Sequence, residues 1–251
     1  GKGGVGKTSS SINLGAAFTY FGKDTTIVDA NLTTPNVGVR LGVPIVPINL
    51  NHVLQGKNHI SEAVYLHPAG TKIVPAGISV DELKNTDPRN LKRILKGLMG
   101  TTDIVLIDAA AGLGREALLA LDCADDILII TNPELPAITD ALKTIKVSEE
   151  SGKNILGVVL TRTKKDNLDV SLNNIQTILE KEVIGVIPED KSMREALTMR
   201  DAIVLTHPKS KASKAYKQLA AVLLNTDYQE EDDSESFFSK LMSKLGFKSD
   251  Q

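Results

Sequence analysis

Apolar and polar positions along the chain fall into two alternating patterns. The runs "TTIVDA", "TKIVPAG", "TDIVLIDAA", "DDILIITN", "NILGVVLTR" and "EVIGVIP" are short, β-branched and almost unbroken, as in strands buried on both faces. Between them, residues 88–99, 137–151, 168–181 and 212–224 carry helical spacing. Near the start, "TSSSINLGAAFTYFG" sets Ile12, Leu14, Ala16, Ala17, Phe18 and Phe21 along a further helix that stops at Gly22. This alternation predicts an α/β fold over residues 1–225: a mostly parallel sheet made by right-handed crossovers, with helices on both faces. Ligands of such sheets bind at the carboxyl ends of the strands, so chemistry is sought there.

The first ten residues, "GKGGVGKTSS", open that first helix. Gly1, Gly6, Lys7 and Thr8 satisfy G-x-x-x-x-G-K-[ST]. In this pattern loop N–H groups converge on phosphate oxygens, the lysine adds a point charge and the threonine hydroxyl binds magnesium. The nucleotide-binding stretch therefore covers Gly1, Lys2, Gly3, Gly4, Val5, Gly6, Lys7, Thr8 and Ser9, with the positive end of a helix behind it. Such a loop is the turn between a buried strand and a helix, which places a first central strand upstream of Gly1. Asp29 and Asp108 end two apolar strands and are expected to join Thr8 around Mg2+, directly or through water; a helix cap or loop hydrogen bond is the plainer role for each. At the last two strand ends, Arg162 is placed to stack on a base. Pro188, Glu189 and Asp190 offer acceptors to an exocyclic amine, while Asp190 equally suits a helix start.

Composition narrows the choices. The 251 residues suffice for one sizeable domain, and a net charge of −2 makes no general case for a nucleic-acid partner. Cys123 is the single cysteine, which rules out a disulfide framework and any cluster held by cysteines of this chain alone. His52, His59, His67 and His207 lack ligand spacing. No apolar run approaches the roughly 18 residues of a membrane span, and no signal peptide is visible, which leads to the expectation of an intracellular protein.

Beyond Leu224 the pattern changes. Residues 226–236 are acidic and poor in apolar side chains, as in a flexible linker. Residues 237–248 follow as an amphipathic helix: Phe237, Phe238, Leu241, Met242 and Leu245 share an arc of about 140°, edged by Lys240 and Lys244. Membrane-surface binding, docking on protein and a disordered tail all remain open for this segment.

With these residues in place, the chain resembles the MinD/ParA family of P-loop ATPases, and within it the MinD branch, archaeal members in particular. The resemblance covers essentially the whole chain, and "KGGVGKT" is its most specific element. It implies ATP and Mg2+ as cofactors and an ATP-dependent homodimer in which Lys2 reaches the partner's phosphates while Lys7 serves its own. Hydrolysis then needs the dimer. It further implies Asp108 in the second switch of "DAAAGLGRE", Glu134 of "TNPE" before a dimer-facing helix, "LTR" and "IPED" around adenine, and a C-terminal membrane-targeting helix. A cytoplasmic protein, peripheral on the inner face of the cell membrane and answering to an unknown activator or cargo protein, follows. One departure stands out. The family's first switch usually reads D-x-D, and its second acid, which orients the attacking water, is here Asn31; slow turnover is expected, with Asp29 the remaining carboxylate. The runner-up is a ParA-like DNA-binding ATPase using Lys164, Lys165, Lys209, Lys211, Lys214 and Lys217, against which the amphipathic tail speaks. An iron–sulfur carrier fails for want of paired cysteines, and a dethiobiotin-synthetase-like enzyme has no use for Lys2.

Overall fold

The computed structural model describes residues 3–164 and 171–228. Gly1, Lys2, Lys165, most of the acidic linker and the segment containing Phe237, Phe238, Lys240, Leu241, Met242, Lys244 and Leu245 lie outside the described residues.

The chain begins with helix α1 (Lys7–Tyr20), then strand β1 (Thr25–Asp29), a short helix α2 (Val37–Arg40) and α3 (Leu50–Leu54). Next come β2 (Tyr65–Leu66), β3 (Lys72–Val74), α4 (Val80–Lys84), α5 (Leu91–Leu95) and β4 (Ile104–Asp108). The second half runs α6 (Arg115–Cys123), β5 (Asp126–Thr131), α7 (Leu135–Glu150), β6 (Asn154–Thr163), α8 (Leu172–Leu179), β7 (Val183–Pro188), α9 (Ser192–Thr198), α10 (Ile203–Thr206) and α11 (Lys211–Leu224). All six apolar runs are strands. The helix expected over residues 88–99 is instead the α-helical turn α5 between two 3-10 turns, Pro88–Asn90 and Lys96–Leu98.

Among the described residues the strands are ordered β2-β3-β1-β4 and β5-β6-β7. Every pairing is parallel except the two-residue edge strand β2. The inner strands β4 and β5 do not pair with each other, and most of their apolar side chains stay half-buried where those of β1 are fully buried.

One core nevertheless spans both sets of strands. Strand periodicity sends alternate residues to opposite faces. Ile27, Ile104, Leu106, Leu128, Ile130 and Val159 face α1, α10 and α11. On the opposite face, Val28, Val105 and Ile107 pack with α3, α5 and α6, and Ile129, Val158 and Leu160 pack with α7 and α8. Helix α1 therefore lies across the seam between the two sets. Its underside is fixed by polar bonds as well: Asn13 Nδ2 donates to Ser9 O at 2.8 Å, Asn13 Oδ1 accepts from Ile203 N at 2.8 Å, and Ser10 Oγ meets Tyr216 OH at 3.2 Å.

Candidate functional site

The loop before α1 turns on two left-handed residues, Gly4 at φ 82° and Gly6 at φ 96°. A side chain would strain either position, so glycine permits the loop to curl over the helix end. Gly6 is the helix N-cap and no side chain caps that terminus, which leaves the first-turn N–H groups directed at the loop's concave side. Val5 is buried between the two glycines, and its carbonyl accepts from Thr161 Oγ1 at 2.6 Å. The same hydroxyl reaches Thr131 O at 3.1 Å, tying the loop to the ends of β5 and β6.

Asp29 and Asp108 are register partners at the ends of β1 and β4, and both are buried. Burial, and then the Asp108 charge beside it, push the Asp29 carboxyl up to about 7, against the N–H groups that it accepts. Those come from Asn31 at 3.2 Å, Asn36 at 2.8 Å and Val37 at 2.9 Å. Asp29 thus organises the loop after β1, its plainer expected role, while standing beside Asp108. Burial also raises Asp108, offset in part by the hydroxyls of Thr8 and Ser11 and the charges of Lys7 and Arg40. Ser11 Oγ donates to Asp108 Oδ1 at 3.1 Å, whereas Asp108 Oδ2 is buried with no hydrogen-bond partner. An orphaned carboxylate oxygen beside a threonine hydroxyl and a second carboxylate is the all-oxygen donor set that suits Mg2+. Lys7 is drawn below the usual lysine range by burial, and Asp108 pulls it back.

Above these groups opens a cavity of about 540 Å³. Gly3, Gly4, Gly6, Lys7, Thr8 and Ser9 form its floor, and Asn31 lies on one wall. The Asn31 amide is engaged within its own loop: Nδ2 donates to Thr34 O at 2.6 Å, and Oδ1 accepts from Thr34 Oγ1 at 3.0 Å. Arg162, Pro188, Glu189 and Asp190 form the far end. Arg162 is left-handed at φ 54°, where the β6–β7 register shifts between Leu160 and Thr163. The carboxylates there are occupied. Asp190 accepts from first-turn N–H groups of α9 and α11, Ser192 N at 2.9 Å and Ala212 N at 3.1 Å, and Glu189 pairs with Lys164 at 3.5 Å. Glu134 is not among the cavity-lining residues; it is the N-cap residue of α7.

Three side chains escaped the sequence reading. Ser11 and Thr161 hold the loop, as described, and Arg40 enters the cavity with Nη1 donating to Ser9 Oγ at 2.7 Å. Ser11 was within reach of the pattern, one helical turn beyond Lys7. Thr161 sits in the quoted "LTR" without a role, and Arg40 is the lone cation between Asp29 and Leu41. A further link joins the loop after β1 to α6: the Glu116 carboxylate accepts from both Thr33 N, at 3.3 Å, and Thr33 Oγ1.

The arrangement can take a polyphosphate ester with Mg2+, which loop amides, Lys7 and Thr8 would hold. The profile of the CobQ/CobB/MinD/ParA nucleotide binding domain matches residues 1–201. This chain belongs to that family. An ATP-binding protein of Methanocaldococcus jannaschii, itself uncharacterised, is 37% identical over 98% of this chain and 94% of its own. Among solved structures, the cell division ATPase MinD of Pyrococcus furiosus superposes with a TM-score of 0.86 at 33% identity, covering 90% of this chain and 95% of that one. MinD of Pyrococcus horikoshii, complexed with Mg-ADP, superposes at 0.85 and 33% identity, over 89% and 92%. The MinD/ParA resemblance drawn from "KGGVGKT" is therefore sound, and the chain is a P-loop ATPase of MinD/ParA type with ATP and Mg2+ as its cofactors. Bound at Thr8 and Asp108, Mg2+ would neutralise charge on the terminal phosphates.

Of the lysines considered for DNA, Lys217 is buried against the Tyr20 ring at 4.5 Å and Lys164 is paired with Glu189. Among the described residues, no helix is long and apolar enough to cross a membrane. Cys123 closes α6, its thiol pushed up to about 11 by burial and the Asp122 charge, and so is protonated at neutral pH.

Proposed function

We propose that this ATPase is a two-copy switch on a membrane surface, acting in the spatial regulation of cell division or positioning. ATP joins two copies, Lys2 of each reaching the phosphates held by the other. The paired C-terminal helices then engage lipid, and hydrolysis releases both copies to the cytoplasm under the control of an activator or cargo protein. The observation that carries this reading is the second lysine, Lys2, ahead of a loop whose own phosphate cation, Lys7, is already in the cavity. A group supplied across an interface makes turnover depend on assembly, as an arginine finger does.

The tail supports the membrane step. One helix with Phe237, Phe238, Leu241, Met242 and Leu245 on its apolar arc gives marginal binding, but two tethered copies make the second contact intramolecular. Membrane affinity then follows nucleotide state. Sedimentation with anionic liposomes, with ATP and with ADP, tests it: ATP should pellet the parent, and Phe238→Glu with Leu241→Glu should stay in solution while binding ATP normally. Pelleting that ignores the nucleotide, or survives both glutamates, refutes the reading. DNA co-sedimentation under ATP with no liposome binding would favour the ParA-like alternative.

A further inference from the structure

We propose that Arg40 is a nucleotide-binding residue, a second cation of the protein's own site that grips a phosphate common to ADP and ATP. Helix α2 carries it to the cavity, where it is half-buried and Nη1 donates to Ser9 Oγ at 2.7 Å. That bond uses one of five guanidinium donors in a rigid fork. No carboxylate of the described residues lies within ion-pair distance of the others.

Thr8 faces Asp108 and the metal side of the loop, and Lys7 reaches the β- and γ-phosphates. Ser9 lies about 100° further round the helix, so a guanidinium fixed to it stands beside the loop on another side of α1 from Thr8, still near enough for its charge to act on Asp108. The uncapped first turn points its N–H groups at the same place, and a charge-assisted contact beside them strengthens an anion site that already exists. Arg40 also belongs to the first switch: α2 begins at Val37, whose N–H is held by Asp29, and ends at Arg40. Phosphate binding thereby draws on the loop that carries Asn31. The inference rests on the nucleotide site alone and stands whether or not the protein binds membrane.

Calorimetric titration of Mg-ADP and Mg-ATP into the parent, Arg40→Ala, Arg40→Lys and Ser9→Ala tests it. Losing a charge-assisted contact should weaken both nucleotides about 10- to 100-fold in Arg40→Ala. Arg40→Lys, with charge but no fork, should fall between, and Ser9→Ala, which frees the guanidinium and removes the hydroxyl but keeps the Ser9 N–H that the loop offers to phosphate, should lose about threefold or less. Equal losses in Arg40→Ala and Ser9→Ala would make Arg40 a clamp on the helix and overturn the assignment. A loss confined to ATP would put the guanidinium at the γ-phosphate and overturn it too, as would unchanged affinity. Should Arg40→Ala melt lower without nucleotide, the Arg40→Lys and Ser9→Ala comparison still decides.

Discussion

Thr161→Val removes one hydroxyl and almost no volume, which isolates what that hydroxyl does. In the native protein its single proton is directed to Val5 O at 2.6 Å, with Thr131 O a longer second acceptor at 3.1 Å, both at buried residues. Valine leaves the Val5 carbonyl in the interior without that donor, and an unmet buried acceptor costs about 1 to 3 kcal/mol. For a domain of this size each kcal/mol lowers Tm by about 2–4 °C, so a drop of roughly 2–12 °C is expected. A second consequence separates this account from a generic core defect. Val5 is held between the left-handed Gly4 and Gly6, so releasing it loosens the loop amides that grip phosphate. ADP affinity should therefore fall as well, and Thr161→Ser, which keeps the hydroxyl, should restore most of both. The assays are thermal unfolding without nucleotide and ADP titration. If Thr161→Val melts and binds like the parent, the anchoring of the phosphate loop through β6 is wrong.

Two other outcomes follow. Asn31→Asp keeps the acceptor for Thr34 Oγ1 but loses the Nδ2 donor to Thr34 O, so it should weaken the loop by about 1 kcal/mol while supplying the missing carboxylate. Single-turnover hydrolysis should then rise, by up to about 10²-fold, and an unchanged rate would mean that water is positioned by another group. The second concerns pH: because the native Asp29 carboxyl titrates at about 7 against 3.8, the folded state binds the proton more tightly, and stability of the nucleotide- and metal-free protein falls as pH rises between these values. Urea unfolding across that range should show the slope, and Asp29→Asn should reduce it, leaving the part that burial of Asp108 contributes.

What could be read from the sequence was what is local. The apolar runs and the phosphate loop declare themselves within a few residues, so six strands and α1 follow from pattern alone. Strand β2 does not, because Tyr65 and Leu66 are too few to make a run. Helix α3 is missed for a related reason: its apolar side chains, Leu50, Val53 and Leu54, make a single turn of only five residues, and a capping box in which Asn49 and His52 satisfy each other's backbone sets its start. The site contacts that were missed join distant residues. Thr161 meets Val5, Ser11 meets Asp108, Arg40 meets Ser9 and Thr33 meets Glu116, and only the folded chain brings these together. Asp190 shows the reverse. Its sequence position fitted a base acceptor and a helix start equally; it lines the cavity and also accepts from first-turn N–H groups of two helices, one of them 22 residues away, whose N-caps are Lys191 and Ser210.

The most direct measurement is the mass of the protein in solution by sedimentation equilibrium, without nucleotide, with Mg-ADP and with Mg-ATP, for the parent, Lys2→Ala and Lys7→Ala. The account predicts a two-copy mass for the parent with Mg-ATP only. Lys2→Ala should stay single-copy yet bind ADP like the parent, and Lys7→Ala should lose nucleotide binding itself. A parent that remains single-copy with Mg-ATP, or a Lys2→Ala protein that pairs as the parent does, would contradict the claim that ATP joins two copies through Lys2.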